Sequence, residues 1–297
     1  MRDLADNIRQ VFLRAGNFFG RAEAAAECSQ DGCAYNCRVL TLQQGLLLFG
    51  IAVVSGMMNA VAGGGSFLSF PALLLVGVPP IPANATNTLA LWPGILGSIG
   101  AYRNELRGPE SRRVLVPLLS TGLVGGLLGA VTLLVTPQQT FLRLIPYLLL
   151  SATVLFAFSG KITAALRPKG GEAALTTKGG AAAQLFVGFY IGYFGAGAGI
   201  LMMALLALLG MTQIHRINAY KTVQAAVCNG IAILAFITKG VIYWRHAGVM
   251  VAGALAGGYF GAWYAQKMKQ EHVRWIVIAI GAGMSAYFFW KTGFRTR

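Results

Sequence analysis

The stretch Asn59-Ala-Val-Ala-Gly63-Gly64-Gly65-Ser-Phe-Leu-Ser-Phe-Pro71 decides how the rest of the chain is interpreted. An apolar run at 42–62 enters it and a shorter apolar run at 66–78 leaves it. A helix that runs into glycine-rich backbone and restarts is therefore predicted. The second run is too short to cross a bilayer, which takes about 20 apolar residues. Because broken backbone at membrane depth is tolerated only inside protein or beside a cavity, the stretch predicts a re-entrant or broken helix.

The same pattern occurs again in the second half of the chain. Ala-Gly-Gly-Gly at 62–65 aligns with Ala-Gly-Ala-Gly at 196–199, and Asn-Ala-Thr-Asn-Thr at 84–88 aligns with Asn-Ala-Tyr-Lys-Thr at 218–222. Two motifs at one offset, without a gap, predict an internal repeat. An even number of spans in each half would make the repeats parallel, and an odd number would make them inverted. The short apolar pieces leave this parity open.

Composition predicts that the repeat lies in a membrane. The chain has 297 residues, of which 56% are hydrophobic and 11% are charged, whereas about a quarter of a soluble domain is charged. The predicted fold class is an all-α integral membrane protein with about eight transmembrane helices and two short re-entrant or broken segments, in two homologous repeats. The predicted full spans are 42–62, 84–102, 114–135, 141–159, 183–200, 218–238, 247–265 and 274–291, and the short pieces are 66–78 and 201–211.

Charge orients the predicted spans. With a cytoplasmic N-terminus, 18 Lys and Arg residues fall inside and five fall outside, which agrees with the positive-inside rule. A multi-pass protein of the inner membrane is expected. The net charge of +15 does not predict nucleic-acid binding, because the basic residues lie at the ends of apolar runs. The predicted segments are a polar tail with an amphipathic helix at 1–41, a first membrane repeat at 42–160, a cytoplasmic linker at 161–181, a second membrane repeat at 182–292 and a C-terminal tail at 293–297.

Three of the four cysteines lie in the polar tail. Cys28, Cys33 and Cys37 have a spacing that does not match the usual zinc sites. They are either ordinary tail cysteines or part of a metal or redox sensor, and the sequence leaves both interpretations open. Cys228 lies in an apolar run, where packing explains it.

The glycine clusters predict the binding site. Backbone N–H groups at a helix break, together with the positive end of the restarting helix, can hold an anion without a charged side chain. Close packing of helices through small residues explains the glycines as well, and the two interpretations are compatible. The candidate substrate-binding residues are Gly63, Gly64, Gly65, Asn84 and Thr88 in the first half, and Gly197, Gly199, Asn218, Lys221 and Thr222 in the second.

The polar candidates each have two interpretations. In each half an asparagine and a threonine are four residues apart, on one face of a helix, and so could line a pathway. The asparagines could instead cap helix N-termini. Lys221 lies at the start of an apolar run. Intramembrane cations are costly and usually functional, but a lysine near the end of a span can also extend to the interface.

The absence of certain residues and motifs from the predicted spans excludes several function classes. The nine acidic residues all lie outside the predicted spans, so neither a cation carrier nor a carboxylate proton relay is expected. The spans contain no Ser/His/Asp or Cys/His set and no metalloprotease motif. The chain also has no Walker motif that would bind ATP. We therefore expect neither an enzyme nor a bound cofactor or metal.

The two glycine motifs and the Asn-Thr motif together resemble the TauE/SafE family of membrane permeases, over about residues 42–291. The resemblance implies a sulfite or organosulfonate exporter with about eight spans in two halves. Ala198 replaces a glycine and Leu205 stands opposite Pro71, so the two halves of the site are not identical. The residues that carry the resemblance are Gly63, Gly64, Gly65, Pro71, Asn84 and Thr88, with Gly197, Gly199, Asn218 and Thr222.

The expected function is secondary transport of a small anion, either sulfite or a C2 organosulfonate, outward across the cytoplasmic membrane. A permease for another small solute, such as a carboxylate or an amino acid, is the main alternative. A membrane enzyme and a structural subunit are weaker alternatives, because paired helix breaks suit neither. The expected partners are the anionic substrate and the lipid bilayer, without nucleic acid, and a homodimer is possible.

Overall fold

The computed structural model describes residues 40–62, 64–101, 105–106, 109–165, 178–211, 213–265 and 270–293. The predicted amphipathic helix of the tail, with Cys28, Cys33 and Cys37, lies outside these residues. Gly63 also lies outside them, as does most of the predicted linker.

The described part of the chain forms ten helices and no strand. The first half contributes α1 (Leu42–Ala62), α2 (Ser66–Leu75), α3 (Pro80–Ala101), α4 (Pro109–Val135) and α5 (Gln138–Ala165). The second half contributes α6 (Lys178–Tyr193), α7 (Ala198–Leu208), α8 (Ile214–Thr238), α9 (Trp244–Ala265) and α10 (Gln270–Gly293). The predicted all-α class is confirmed.

Three of these helices are long and apolar enough to cross a membrane by length and composition: α1, α4 and α8. Their apolar windows are 42–59, 114–135 and 215–238, and shorter apolar helices lie at 66–75 and 278–290. The helices α4 and α10 begin earlier than predicted, so that Glu110 and Glu271 lie in their first turns. Both carboxylates remain outside the apolar windows.

The helix break in the second half lies earlier than predicted. A single span over 183–200 is wrong, because α6 ends at Tyr193 and α7 begins at Ala198. Gly195 and Gly197 cause the break, since their φ angles of 72° and 69° lie in the left-handed region that a right-handed helix cannot use. The short piece predicted at 201–211 consequently begins earlier, at Ala198.

Both short helices end in the same type of cap. Gly77 and Gly210, with φ angles of 87° and 101°, follow α2 and α7. In each case the next residue donates its N–H to the carbonyl five residues earlier, at 3.0 and 3.1 Å, which is a Schellman motif. At the offset of the two sequence motifs Gly77 would match position 211, but the cap glycine of the second half is Gly210. The predicted gapless match therefore slips by one position at the caps that end the short helices.

The two halves pack reciprocally. The first helix of each half packs on the fourth helix of the other half, so that α1 lies on α9 and α6 lies on α4. The third helices, α3 and α8, pack on each other, as do the fifth helices, α5 and α10. A pair of halves related by a two-fold axis packs in this way, because exchanging the halves leaves these four helix contacts in place.

Glycines bring the reciprocal helix pairs into close contact. A Cβ on Gly188 of α6 would lie 2.7 Å from the Gly122 carbonyl of α4, and one on Gly253 of α9 would lie 2.6 Å from the Phe49 carbonyl of α1. Gly192 and Gly257 approach the backbone of the partner helix even more closely. Small residues thus form these interfaces, as is usual between helices in lipid.

One hydrogen bond joins equivalent positions of the two halves. The Trp92 indole N–H of α3 donates to the Ala226 carbonyl of α8 at 2.9 Å, and these two positions match at the same offset as the sequence motifs. A Cβ on Gly230 would lie 3.3 Å from the same indole ring. A contact between equivalent residues lies on the axis that relates the halves, so Trp92 marks that axis.

Candidate functional site

The two helix breaks meet in the fold although they are far apart in the sequence. The position that a Cβ would take on Gly197 lies 3.5 Å from Phe67 Cζ, in the first turn of α2, and 3.2 Å from Ala152 Cβ of α5. Phe70 and Phe194 pack edge to face beside this contact, with ring centroids 5.5 Å apart. The Phe67 side chain, in the first turn of α2, therefore reaches the start of α7 in the protein core.

In the first half, close approach explains the glycine at the start of α2. Gly65 is buried in the right-handed region, with φ −56° and ψ −35°, so its conformation does not require glycine. A Cβ there would run into the Ser55 carbonyl of α1 and lie 3.1 Å from Asn59 Cβ. The return of the chain against α1 thus leaves room only for a glycine. Gly64 is also buried beside it.

Part of the predicted set of N–H donors is used within the breaks. The Phe67 and Leu68 N–H groups donate to the carbonyls of Gly64 and Gly65, both at 3.1 Å, and the Ala198 N–H donates to the Gly195 carbonyl at 3.2 Å. The prediction that the helix starts bind an anion therefore depends on fewer donors than the sequence suggested, and on nearby side chains.

The paired asparagines and threonines make the same hydrogen bond in both halves. Thr88 Oγ1 donates to the Asn84 carbonyl at 2.8 Å, and Thr222 Oγ1 donates to the Asn218 carbonyl at 2.7 Å. Each threonine hydroxyl thus donates its proton within its own helix. Toward a solute, the two hydroxyl oxygens can therefore act only as hydrogen-bond acceptors. The capping interpretation is wrong, because α3 and α8 begin four residues before these asparagines.

Asn84 ties the two halves together. Its side chain is buried, and its Nδ2 donates at 3.2 Å to the carbonyl of Tyr193, the last residue of α6. Its Oδ1 is buried without a hydrogen-bond partner among the described residues. Tyr190 also stabilises this break, because its hydroxyl donates to the Ala196 carbonyl at 2.7 Å. The start of α3 is thus fixed against the break between α6 and α7.

Lys221 lies against the first turn of α7. Its Cδ is 3.6 Å from the position that a Cβ would take on Gly199, and its Nζ is 3.7 Å from Met203 Sδ. The residue is seven positions after the start of α8, about 10 Å along the helix. Among the residues that the structure describes, no carboxylate forms an ion pair with Lys221. Two predicted site residues, Lys221 and Gly199, are therefore neighbours.

The sequence prediction missed the counterpart of this contact in the first half. Ser69 Oγ donates to Asn87 Oδ1, and both side chains are buried. At the offset of the repeat, Asn87 aligns with Lys221 and Ser69 aligns with Met203. The pair of polar residues in α2 and α3 thus takes the place that Met203 and Lys221 take in α7 and α8. The alignment of the halves contained this signal, since it places Asn87 opposite the one lysine of the motif.

The two breaks together offer one cation, several neutral polar groups and no nearby carboxylate among the described side chains. In this part of the chain no group of three or more His, Cys, Asp or Glu side chains could hold a metal ion. These groups can bind a small anion, because Lys221 supplies a positive charge and the neutral groups supply hydrogen bonds.

A sequence profile described as "Sulfite exporter TauE/SafE" matches residues 48–288 of the chain. The chain belongs to the TauE/SafE family. The matched range runs from α1 into α10, so it contains both helix breaks and every candidate site residue. Membership identifies the protein as a membrane transporter, as the resemblance implied.

Curated relatives agree with this family assignment. A "Probable membrane transporter protein" of Haemophilus influenzae is 29% identical over 248 residues, which cover 83% of this chain and 95% of the relative. "Probable membrane transporter protein YfcA" of Escherichia coli K12 is 27% identical over 245 residues, which cover 81% and 87%. "Probable membrane transporter protein ORF9" of Sinorhizobium sp is 25% identical over 246 residues, which cover 80% and 89%. No solved structure matches the TauE/SafE chain.

Proposed function

We propose that this TauE/SafE protein is a secondary carrier that exports a small monovalent or divalent sulfur oxyanion, either sulfite or a C2 organosulfonate. It acts in the cytoplasmic membrane, with its N-terminus on the cytoplasmic side. The family profile, which is named for sulfite exporters, supports the substrate class. The positive-inside count of the sequence supports the orientation.

The observation that carries the proposal is the environment of Lys221. Its side chain packs on Gly199 and Met203, and the described residues supply no ion-pair partner. A cation away from water is costly unless it is paired. Polar and ionisable groups at such positions usually mark a substrate pathway. A mobile anion supplies the missing negative charge, and three sulfonate or sulfite oxygens can accept hydrogen bonds from the ammonium group.

The start of α7 adds to the attraction of this anion. The positive end of a helix favours negative charge, and residue 199 has no side chain of its own that would keep a ligand beside Lys221 away from the backbone. In our proposal Asn218 and Thr222 complete the second-half side of the site. Asn84 and Thr88, with the glycines at 63–65, form the first-half side.

We further propose that eight helices span the membrane in two repeats, while α2 and α7 are broken half-helices between them. Equivalent helices begin at closely matching positions in the two halves, from 42 and 178 for the first pair to 138 and 270 for the fifth. The reciprocal packing of the halves supports the same arrangement. The shortest of the eight is α6, with 16 residues, or about 24 Å.

The test is uptake of radiolabelled sulfite into liposomes that contain the purified protein. We expect saturable uptake, which Lys221→Ala lowers about tenfold or more because it removes a charge-assisted contact. The matched control is Lys239→Ala, which removes an exposed lysine at the other end of the same helix and should leave uptake unchanged. An imposed pH gradient then separates coupled transport from passive facilitation.

Competition identifies the substrate. Unlabelled sulfoacetate, a small carboxylate and a small amino acid are added in turn to the sulfite assay. We expect sulfoacetate to compete and the amino acid not to compete. If neither sulfite nor any sulfonate enters above the level of empty liposomes, the proposed substrate class is wrong.

A further inference from the structure

Two buried glutamines lie outside the site described above. Gln184 of α6 and Gln224 of α8 are 1% and 0% exposed. The Oε1 and Nε2 atoms of both side chains have no hydrogen-bond partner among the described residues. Buried carboxamides are normally bonded, because an unmet donor or acceptor costs free energy. Four such atoms in two side chains therefore require an explanation.

The two side chains converge on one point of α4. The position that a Cβ would take on Gly122 lies 3.0 Å from Gln224 Nε2 and 3.4 Å from Gln184 Nε2. The Cys228 thiol lies 3.2 Å from the same position and donates to the Gly122 carbonyl. The helices α6 and α8 thus contribute one buried polar cluster, made up of Gln184, Gln224 and Cys228. It lies against the face of α4 at Gly122, which has no side chain.

The fold itself does not require this cluster. At the offset of the repeat, the equivalent positions of the first half are Gly50, Ala90 and Gly94. They lie on α1 and α3, which pack with α9 in the same way as α6 and α8 pack with α4. One half thus builds this three-helix junction with apolar residues at these positions, so packing alone does not account for the glutamines of the other half.

The cluster continues the face of α8 that carries Lys221. Gln224 and Cys228 follow Lys221 by three and seven residues, a spacing that keeps side chains on one face of a helix. Seven residues span about 10 Å along the axis. A solute that leaves Lys221 along this face therefore next meets the two carboxamides, at the junction of α4, α6 and α8.

We propose that Gln184 and Gln224 form a second, uncharged binding site for the transported oxyanion, on the pathway that begins at Lys221. This inference rests on the proposed function. The amide N–H groups donate to sulfite or sulfonate oxygens, and the solute in turn satisfies the buried donors. Neutral amides hold an anion less tightly than a lysine does, which suits a position that the solute must leave again, since conduction requires weak, successive sites.

The test combines transport kinetics with thermal melting of the full-length protein. Gln184→Met and Gln224→Met keep side-chain length and remove the amides. Each variant is expected to raise the KM for labelled sulfite about tenfold, while its melting temperature without substrate stays the same or rises, because unpartnered polar atoms have been removed. The matched control, Gln213→Met, alters an exposed glutamine before α8 and is expected to change neither quantity.

The outcomes separate this inference from the proposed function. A KM equal to that of the wild type in both variants overturns the second site, because the amides then bind water or nothing. A lowered melting temperature with unchanged KM overturns it too, since the glutamines are then structural. If Gln224→Met fails to fold, Gln224→Leu is measured in its place. If the wild type itself moves no sulfite or sulfonate, the proposed function fails first.

Discussion

The two Asn-Thr motifs differ in charge at one position, where the second half has Lys221 and the first half has Asn87. Where the first half joins Ser69 to Asn87 by a hydrogen bond, the second half places Lys221 beside Met203. A hydroxyl and an amide satisfy each other without a ligand, whereas an ammonium group beside a thioether does not. The Ser69–Asn87 pair of the first half thus needs no ligand, whereas Lys221 of the second half lacks a counter-charge among the described residues.

A stability measurement follows from this difference. Lys221→Met is expected to raise the melting temperature of the substrate-free protein, because a buried donor without a partner costs about 1–3 kcal/mol, and more when it is charged. Saturating sulfite is expected to stabilise the wild type, by about 2.7 kcal/mol at a hundred times Kd, and not the variant. Scanning calorimetry in detergent, with and without sulfite, measures both effects.

The exposed Lys239 supplies the control for this prediction. Lys239→Met, at the end of the same helix, should melt like the wild type and respond to sulfite in the same way. A lower melting temperature for Lys221→Met would mean that the lysine stabilises the fold. It would contradict the inference that Lys221 has no negatively charged partner in the substrate-free protein.

Sequence reasoning reached some residues of the site and could not reach others. Lys221 is recognisable because a charge inside an apolar run is rare. The bond from Asn84 to the Tyr193 carbonyl joins residues that are 109 positions apart, and no local pattern predicts such a contact. Gln184 and Gln224 were not identified either, because a single glutamine in an apolar run has no periodic signature.

At the scale of helices, glycines have two separate tasks. Gly197 and Gly195 break a helix, because their left-handed φ angles end one helix and allow the next to begin. The glycines of α4, α6 and α9 stay helical and bring neighbouring backbones together. Composition alone does not distinguish these tasks. For that reason the sequence predicted that a break exists in each half, but misplaced the second one by several residues.

Adjacent glycines of α9 allow a direct test of close packing. A Cβ on Gly257 would collide with the Val53 carbonyl of α1, whereas a Cβ on Gly258 would meet nothing within 4 Å. Gly257→Ala is therefore expected to lower the free energy of unfolding by about 1–3 kcal/mol. Gly258→Ala is expected to leave it unchanged or to raise it by up to about 1 kcal/mol, because alanine favours the helix.

Thermal melting of both variants under identical detergent conditions gives the comparison. Since the two residues are neighbours in one helix, differences in lipid or detergent contact are small. Equal destabilisation by both substitutions would show that α1 and α9 do not approach as closely as described.

At the scale of the whole molecule, hydropathy predicted the helices well and their arrangement only in part. The bounds of α1 agree with the prediction, because hydrophobic length alone fixes a span. The reciprocal packing of α1 on α9 and of α6 on α4 needs the three-dimensional structure, although the repeat implied that some such relation exists. Which ends of the helices face the cytoplasm stays a prediction, made from the distribution of Lys and Arg residues.

Labelling of single introduced cysteines from each side of the membrane tests this predicted orientation. In a background in which all four native cysteines are serine, Leu106→Cys and Lys239→Cys are expected to react with an impermeant maleimide from the cytoplasmic side. Gln139→Cys should react from the opposite side. Positions 106 and 239 follow the third helix of each half, so parallel repeats place them on one face. Reaction from opposite faces would instead indicate inverted repeats.

The position of the Trp92 indole shows how far the two halves have diverged from a pair of identical repeats. It occupies the axis, and its hydrogen bond reaches the equivalent position of the other half, which holds the small residue Ala226. Only one tryptophan fits there, since Gly230 already lies against the ring. A protein assembled from two copies of residues 42–165 would place two indoles in the volume of one. The halves have thus become complementary, and the first half could no longer pair with a second copy of itself at this position.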